Sequence, residues 1–171
     1  LATTSCTTPI AGTTEAATPT TLNGLGATPL YPPYTPTPTP SGCPNGMAVN
    51  YGGSDVWYSV TVPASGLIGI KITESGVCAT AMGLYTAPNC VTGPFTWATG
   101  TNIGLCSIDG LNGPNTPTGL VFDPATYGLT PGQTVYIRVW ERNNNENGSF
   151  TICAYNAQPP PNDEPCGAIL L

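Results

Sequence analysis

The most reactive side chains in this 171-residue sequence are seven cysteines, Cys6, Cys43, Cys78, Cys90, Cys106, Cys153 and Cys166, in a chain that has no histidine. They include no Cys-x-x-Cys pair, so the ligand spacings of a zinc site are missing and disulfides are the better expectation. Stable disulfides belong to oxidising compartments, which predicts a secreted or surface-displayed protein. The odd count leaves one cysteine without an internal partner. Without histidine, the serine–histidine and cysteine–histidine routes to a nucleophile are closed. Glycoside hydrolysis needs only two carboxylates, but the nine acidic residues are scattered along the chain, and the adjacent Asp163 and Glu164 fall in a proline-rich stretch. The inventory therefore predicts no enzyme.

Three weaker kinds of site remain. The loop "CSIDGLNGPN" offers Asp109, Asn112 and Asn115 plus backbone carbonyls to a calcium ion, although it lacks a run of aspartates and Asp109 reads first as a turn residue. No cofactor is expected, with calcium the one cation the sequence could accommodate. Trp57, Trp97 and Trp140 have the flat apolar faces that stack on sugar rings, and surface glycans are accordingly a candidate partner. Packing under loops or against the proline tract is the favoured alternative for Trp57 and Trp140. Finally, the chain could carry sugar itself: at Asn147 in "NGS", and at Thr35, Thr37 and Thr39 in a Thr-Pro tract of the composition seen in O-linked stalks.

Charge excludes other partners. Lys71, Arg138 and Arg142 face nine acidic residues, for a formal net charge of −6, too few cations to neutralise a useful number of phosphates or an anionic membrane. No apolar run approaches the roughly 18 residues of a membrane span.

The elements that must carry these residues are short alternating strands bounded by Gly, Pro and Asn. "DVWYSVTV" places Val56, Tyr58, Val60 and Val62 on one face, and "LIGIKI" places Ile68, Ile70 and Ile72 on one face with Lys71 opposite. "TVYIRVW" does the same with Val135, Ile137 and Val139, and "SFTICAY" with Phe150, Ile152 and Ala154. "GTTEAAT", "ATAMGLYT", "NIGLCS" and "GLVFD" are weaker candidates, and "PASG", "TPGQ" and "NNNENG" are turn signals. No window carries a helical apolar stripe. The class predicted is all-β: an antiparallel β-sandwich, jelly-roll-like, with disulfides and a Pro/Thr-rich loop at 28–42. The expected organisation is one sandwich domain over 1–156, followed at 157–171 by a proline-rich linker and a terminal apolar strand.

"DVWYSVTVPASG", "GLTPGQTVYIRVWERNNNENGSFTICAY" and "PPPNDEPCGAI" together resemble a β-sandwich module that recurs, often in tandem, in secreted and surface proteins of the Bacteroidota and is similar to bacterial pre-peptidase C-terminal domains. The resemblance covers most of the chain after residue 50 and lapses between 20 and 50. It implies that "NDEPCGAI" at 162–169 is the opening segment of such a unit and that "LATTSCTTPIAGTTEAAT" is its continuation, so that the chain is circularly offset. Joining Leu171 to Leu1 would separate Cys166 and Cys6 by about the spacing of the family's two opening cysteines. One unit's tail would then complete its neighbour by β-augmentation, with Cys166, Ile169, Leu170 and Leu171 as the assembly residues. A contact of that kind propagates as a fibre. A tail trimmed at an arbitrary point, with Cys166 a free thiol, is the plain alternative.

Seven cysteines admit many connectivities. The preferred pairings are Cys6 with Cys43, Cys90 with Cys106, and Cys153 with either Cys78 or Cys166, the last in an adjacent unit. Two functional expectations follow: an extracellular structural or adhesive module repeating head to tail, and, as the alternative, a carbohydrate-binding accessory domain of a secreted enzyme.

Overall fold

The computed structural model describes residues 6–18, 20, 55–64, 67–74, 80–91, 93–98, 106–108, 118–141 and 148–157. Within them the chain forms nine strands: β1 (Ile10–Thr13), β2 (Asp55–Thr61), β3 (Leu67–Glu74), β4 (Thr80–Thr86), β5 (Thr96–Trp97), β6 (Cys106–Ile108), β7 (Thr118–Phe122), β8 (Thr134–Glu141) and β9 (Ser149–Ala157). A single 3-10 turn at Pro124–Tyr127 separates β7 from β8. One sheet runs β1-β9-β3-β7; the other runs β2-β8-β4-β5, with β6 also paired to β4. Every pairing is antiparallel. The molecule is an all-β antiparallel sandwich.

Strand alternation explains why the two sheets close on each other. Ile68, Ile70 and Ile72 of β3 and Phe150 and Ile152 of β9 face Val135, Ile137 and Val139 of β8 and Met82 and Leu84 of β4 in one buried cluster. Val56, Tyr58 and Val60 of β2 and Ala154 of β9 pack against it. All four inward-facing sets expected from period-two alternation are the ones found, and Lys71 is exposed on the opposite side of β3. Each buried aliphatic side chain here contributes about 1.5–3 kcal/mol relative to exposure.

The weaker candidates resolve differently. "ATAMGLYT" contains β4 and "GLVFD" contains most of β7, whereas the last two residues of "NIGLCS" open β6 and its first four lie outside the described residues. "GTTEAAT" is strand for its first two residues alone, because Ala16 turns the chain at φ 59. The "TPGQ" turn behaves as its residues dictate. Pro131 sets the first central position, Gly132 takes φ 85, and the Gln133 amide donates to the Thr130 carbonyl at 3.0 Å, which is a type II turn. That turn also extends the β2–β8 ladder, since the Val62 amide donates to Gln133 O and the Gly132 amide to Val62 O, each at 2.9 Å. β9 ends at Ala157, one residue into the stretch expected to be linker.

A disulfide joins Cys6 to Cys153 across a sequence separation of 147, with Cα atoms 5.8 Å apart. It corrects two expectations, the pairing of Cys6 with Cys43 and that of Cys153 with Cys78 or Cys166. The cause is strand pairing: the β1–β9 ladder sets Ile10 opposite Ile152, so the chain just before β1 lies beside the residue just after that ladder. Cys90 is a free, exposed thiol, which corrects its expected bond to Cys106. Cys106 opens β6 opposite Gly83, inside β4, while Cys90 sits in the turn beyond the end of β4.

Candidate functional site

Two places gather chemistry, one on each side of β2. On the outer face of the five-stranded sheet, the register sets Asp55 opposite Trp140 and Trp57 opposite Arg138. Asp55 is buried and so is Arg138. Arg138 Nε donates to Asp55 Oδ2 at 2.9 Å, Trp57 Nε1 donates to the same oxygen at 2.7 Å, and the Thr20 amide donates to Asp55 Oδ1 at 2.8 Å. Trp57 Nε1 also reaches Thr20 Oγ1 at 2.8 Å. The guanidinium lies 5.6 Å from the centre of the Trp57 ring and 5.9 Å from that of Trp140, within the range of cation–π attraction.

Below this cluster the same face continues as aromatic packing. Trp57 stacks at a tilt on Tyr85 and Phe95, with ring centres at 5.4 and 5.1 Å, and Phe95 meets the Tyr136 ring edge-on at 5.3 Å. Trp140 is only 2% exposed. Trp140 is thus taken up in packing, and Trp57 is half-buried against Tyr85 and Phe95. A carboxylate with donors on both oxygens and a buried counter-ion is a structural clamp. It ties the chain after β1 to the start of β2. The side chain of Trp97 lies outside the described residues.

On the other side of β2 the two sheets part. Between β2 and the β1–β9 edge lies a partly open groove of about 890 Å³. Its wall includes Tyr58 and Val60 from β2, Val62 just after it, Ile137 from β8, Ile152, Cys153 and Ala154 from β9, Ile10 at the start of β1 and Thr8 before it. Ile10 is 62% exposed. Burial raises the Tyr58 phenol above its ordinary pKa of 10.0. β1 covers β9 only from Ser149 to Ile152, and among the described residues no strand pairs with β9 on that side beyond Ile152. Among the described residues β2 pairs with β8 alone. One polar atom stands out on β9: Asn156 Oδ1 is buried without a hydrogen-bond partner among the described residues, two positions along from Ala154 and on the same face.

The remaining expected sites fall elsewhere. The calcium candidates Asp109, Asn112 and Asn115, the glycosylation candidates Thr35, Thr37, Thr39 and Asn147, the assembly residues Cys166, Ile169, Leu170 and Leu171, and Cys43 and Cys78 all lie outside the described residues. Sequence reasoning missed the Asp55–Arg138 pair. Its signal was present: one charge of each sign sits in two strands, "DVWYSVT" and "TVYIRVWE", that are otherwise uncharged but for Glu141 at the end. Among the described residues no helix is long and apolar enough to cross a membrane. No protein-family model and no curated protein matches this chain.

Proposed function

We propose that this chain is an extracellular structural and adhesive module, one unit of a head-to-tail surface fibre or stalk joined by exchange of a terminal strand. The observation that carries this reading is the chemistry of the sheet edges. Natural sandwiches defend exposed edges with charged side chains, proline or bulges. Here β1 ("IAGT") and β7 ("TGLVF") carry no charge at all, and the one charge of β2, Asp55, is buried in an ion pair. Ile10 on β1 and Val121 on β7 are 62% and 57% exposed, so both edges of one sheet show large apolar side chains to solvent. A Cys6–Cys153 disulfide is at home in an oxidising compartment, which supports placement outside the cell. The fold alone would leave function open.

The carbohydrate-binding alternative needs exposed aromatic rings near polar groups, and the burial of Trp140 and half-burial of Trp57 favour the assembly reading over it. The assembly reading is tested by removing residues 163–171. Intact protein is expected to sediment as a concentration-dependent ladder of oligomers and to form filaments under the electron microscope, and the shortened chain to sediment as a monomer. Filaments persisting unchanged after truncation would overturn the reading.

A further inference from the structure

We infer that the groove between β2 and the β1–β9 edge is the acceptor for the segment 166–171 ("CGAILL") of a second copy, which lies there as an added strand. The inference rests on the assembly reading above and assigns it a place. Three features of the groove fit a strand better than a compact ligand. Among the described residues, no second strand pairs with the β2 edge that borders it at 58–61, and none pairs with β9 on the β1 side beyond Ile152. Its floor is aliphatic, with Val60, Val62, Ile137, Ile152 and Ala154, and a strand offers every second side chain to such a floor. At the end of the same face, the buried Asn156 Oδ1 is an acceptor awaiting a donor, and the amides of an incoming strand are donors.

The occupant is chosen on sequence. β9 ends at Ala157 and residues 158–171 follow. In that stretch the acidic Asp163 and Glu164 precede Pro165, and every residue from Cys166 onward is uncharged, with Ala168, Ile169, Leu170 and Leu171 apolar. Such a segment desolvates at little cost in an uncharged groove. Pro159, Pro160 and Pro161 come first. Consecutive prolines hold φ near −65° and rise about 3.1 Å per residue as a stiff extended spacer. A tight hairpin back onto β9 requires positive φ at its central residues, which proline cannot take. A tight hairpin of the tail onto its own β9 is thereby disfavoured, and the occupant we assign is the tail of another copy. Because Cys6 and Cys153 are bonded to each other within one chain, neither serves as a covalent partner for Cys166, and docking relies on backbone pairing and apolar burial.

The test compares two exposed side chains at opposite edges of the same sheet, in the full-length protein. Ile10→Asp puts a charge in the groove wall, and Val121→Asp puts one on the β7 edge; both sites are more than half exposed, so melting temperatures are expected to stay within a few degrees of the parent. Ile10→Asp is expected to weaken head-to-tail association at least about tenfold by sedimentation, and Val121→Asp to leave it unchanged. A photo-crosslinking residue in place of Ile169, in a mixture of 15N-labelled and unlabelled protein, is expected to give mixed-isotope adducts on 58–64 or 152–154. If oligomers form but Val121→Asp abolishes them, or adducts map to β7, the groove assignment is overturned and the assembly reading stands. Adducts confined to one isotope mean that the tail folds onto its own chain, which overturns docking in trans. A full-length protein that stays monomeric at all concentrations overturns the assembly reading itself.

Discussion

The β2–β8 ladder has two buried faces built from different chemistry. Inward, Val56, Tyr58, Val60, Val135, Ile137 and Val139 join the aliphatic cluster between the sheets. Outward, Asp55, Trp57, Tyr136, Arg138 and Trp140 form an ion pair wrapped in rings. A sheet of an ordinary sandwich turns polar residues outward to water, yet here Asp55, Arg138 and Trp140 are as inaccessible as the core. The difference matters for tolerance. Aliphatic packing is non-directional and yields gradually to a lost methyl, whereas a buried charge depends on the specific groups that compensate it. The outer face should therefore be the more brittle of the two, although the inner face buries more apolar side chains.

The largest expected effect tests that brittleness. Asp55→Ala takes the carboxylate away from the buried Arg138 guanidinium, and should cost about 3–5 kcal/mol of unfolding free energy in a denaturant titration. Adding Arg138→Met to the same chain removes the charge that Asp55 compensated and should recover part of the loss. The Thr20 amide would still lack its acceptor, leaving the double variant about 1–3 kcal/mol below the parent. Additive single-variant costs would show that the two side chains do not act as a pair.

Next in size is the disulfide. Replacing Cys6 and Cys153 together with serine should cost about 2–5 kcal/mol, because the bond closes a very long loop in the unfolded chain. The expected signature is a lower denaturation midpoint together with loss of the midpoint's sensitivity to reducing agent. A midpoint that still responded to reductant would place the main covalent restraint at another cysteine.

On the inner face, Ile137→Val removes one methylene from the core and should cost about 0.5–1.5 kcal/mol. If it cost as much as Asp55→Ala, the contrast between the faces would collapse. A related probe is Gly69, which lies opposite Tyr155 in the β3–β9 register. A Cβ at this position would meet the Tyr155 ring. Gly69→Ala should displace that ring and cost about 1 kcal/mol, readable as a lower melting temperature and altered near-ultraviolet dichroism.

How much of this was legible depended on the range of the interaction. The inward sets were readable because strand side chains alternate with period two, a local signal that needs no knowledge of partners. The outer cluster was not, because Trp57 meets Arg138 only once β2 and β8 are in register across 80 residues of chain. Lone charges in apolar strands marked the residues but not their pairing. β1 was the least legible element: "IAGT" has no alternation to speak of, and it becomes a strand because β9 offers it a ladder. With β1 misjudged, Cys6 and Cys153 were bound to be paired wrongly, since the ladder is what brings them together.

The smallest expected effect sits where the inner face opens into the groove. Burial raises the Tyr58 phenol above 10.0, so the folded state prefers the neutral form more strongly than the unfolded chain does. A folded value above the unfolded one means that the stabilisation is complete below about pH 10 and is lost as pH rises through the folded value. Unfolding free energy should thus fall above pH 10 in the parent and fall less in Tyr58→Phe, the difference between the two isolating this one phenol from the other tyrosines. Equal alkaline losses would show that Tyr58 is not desolvated in solution. The same measurement reports on docking: a strand lying in the groove buries Tyr58 further and raises its folded value, so the alkaline loss should still begin near pH 10 but grow larger and extend to higher pH as protein concentration rises. Ile10→Asp, by weakening docking, should leave it where the monomer has it.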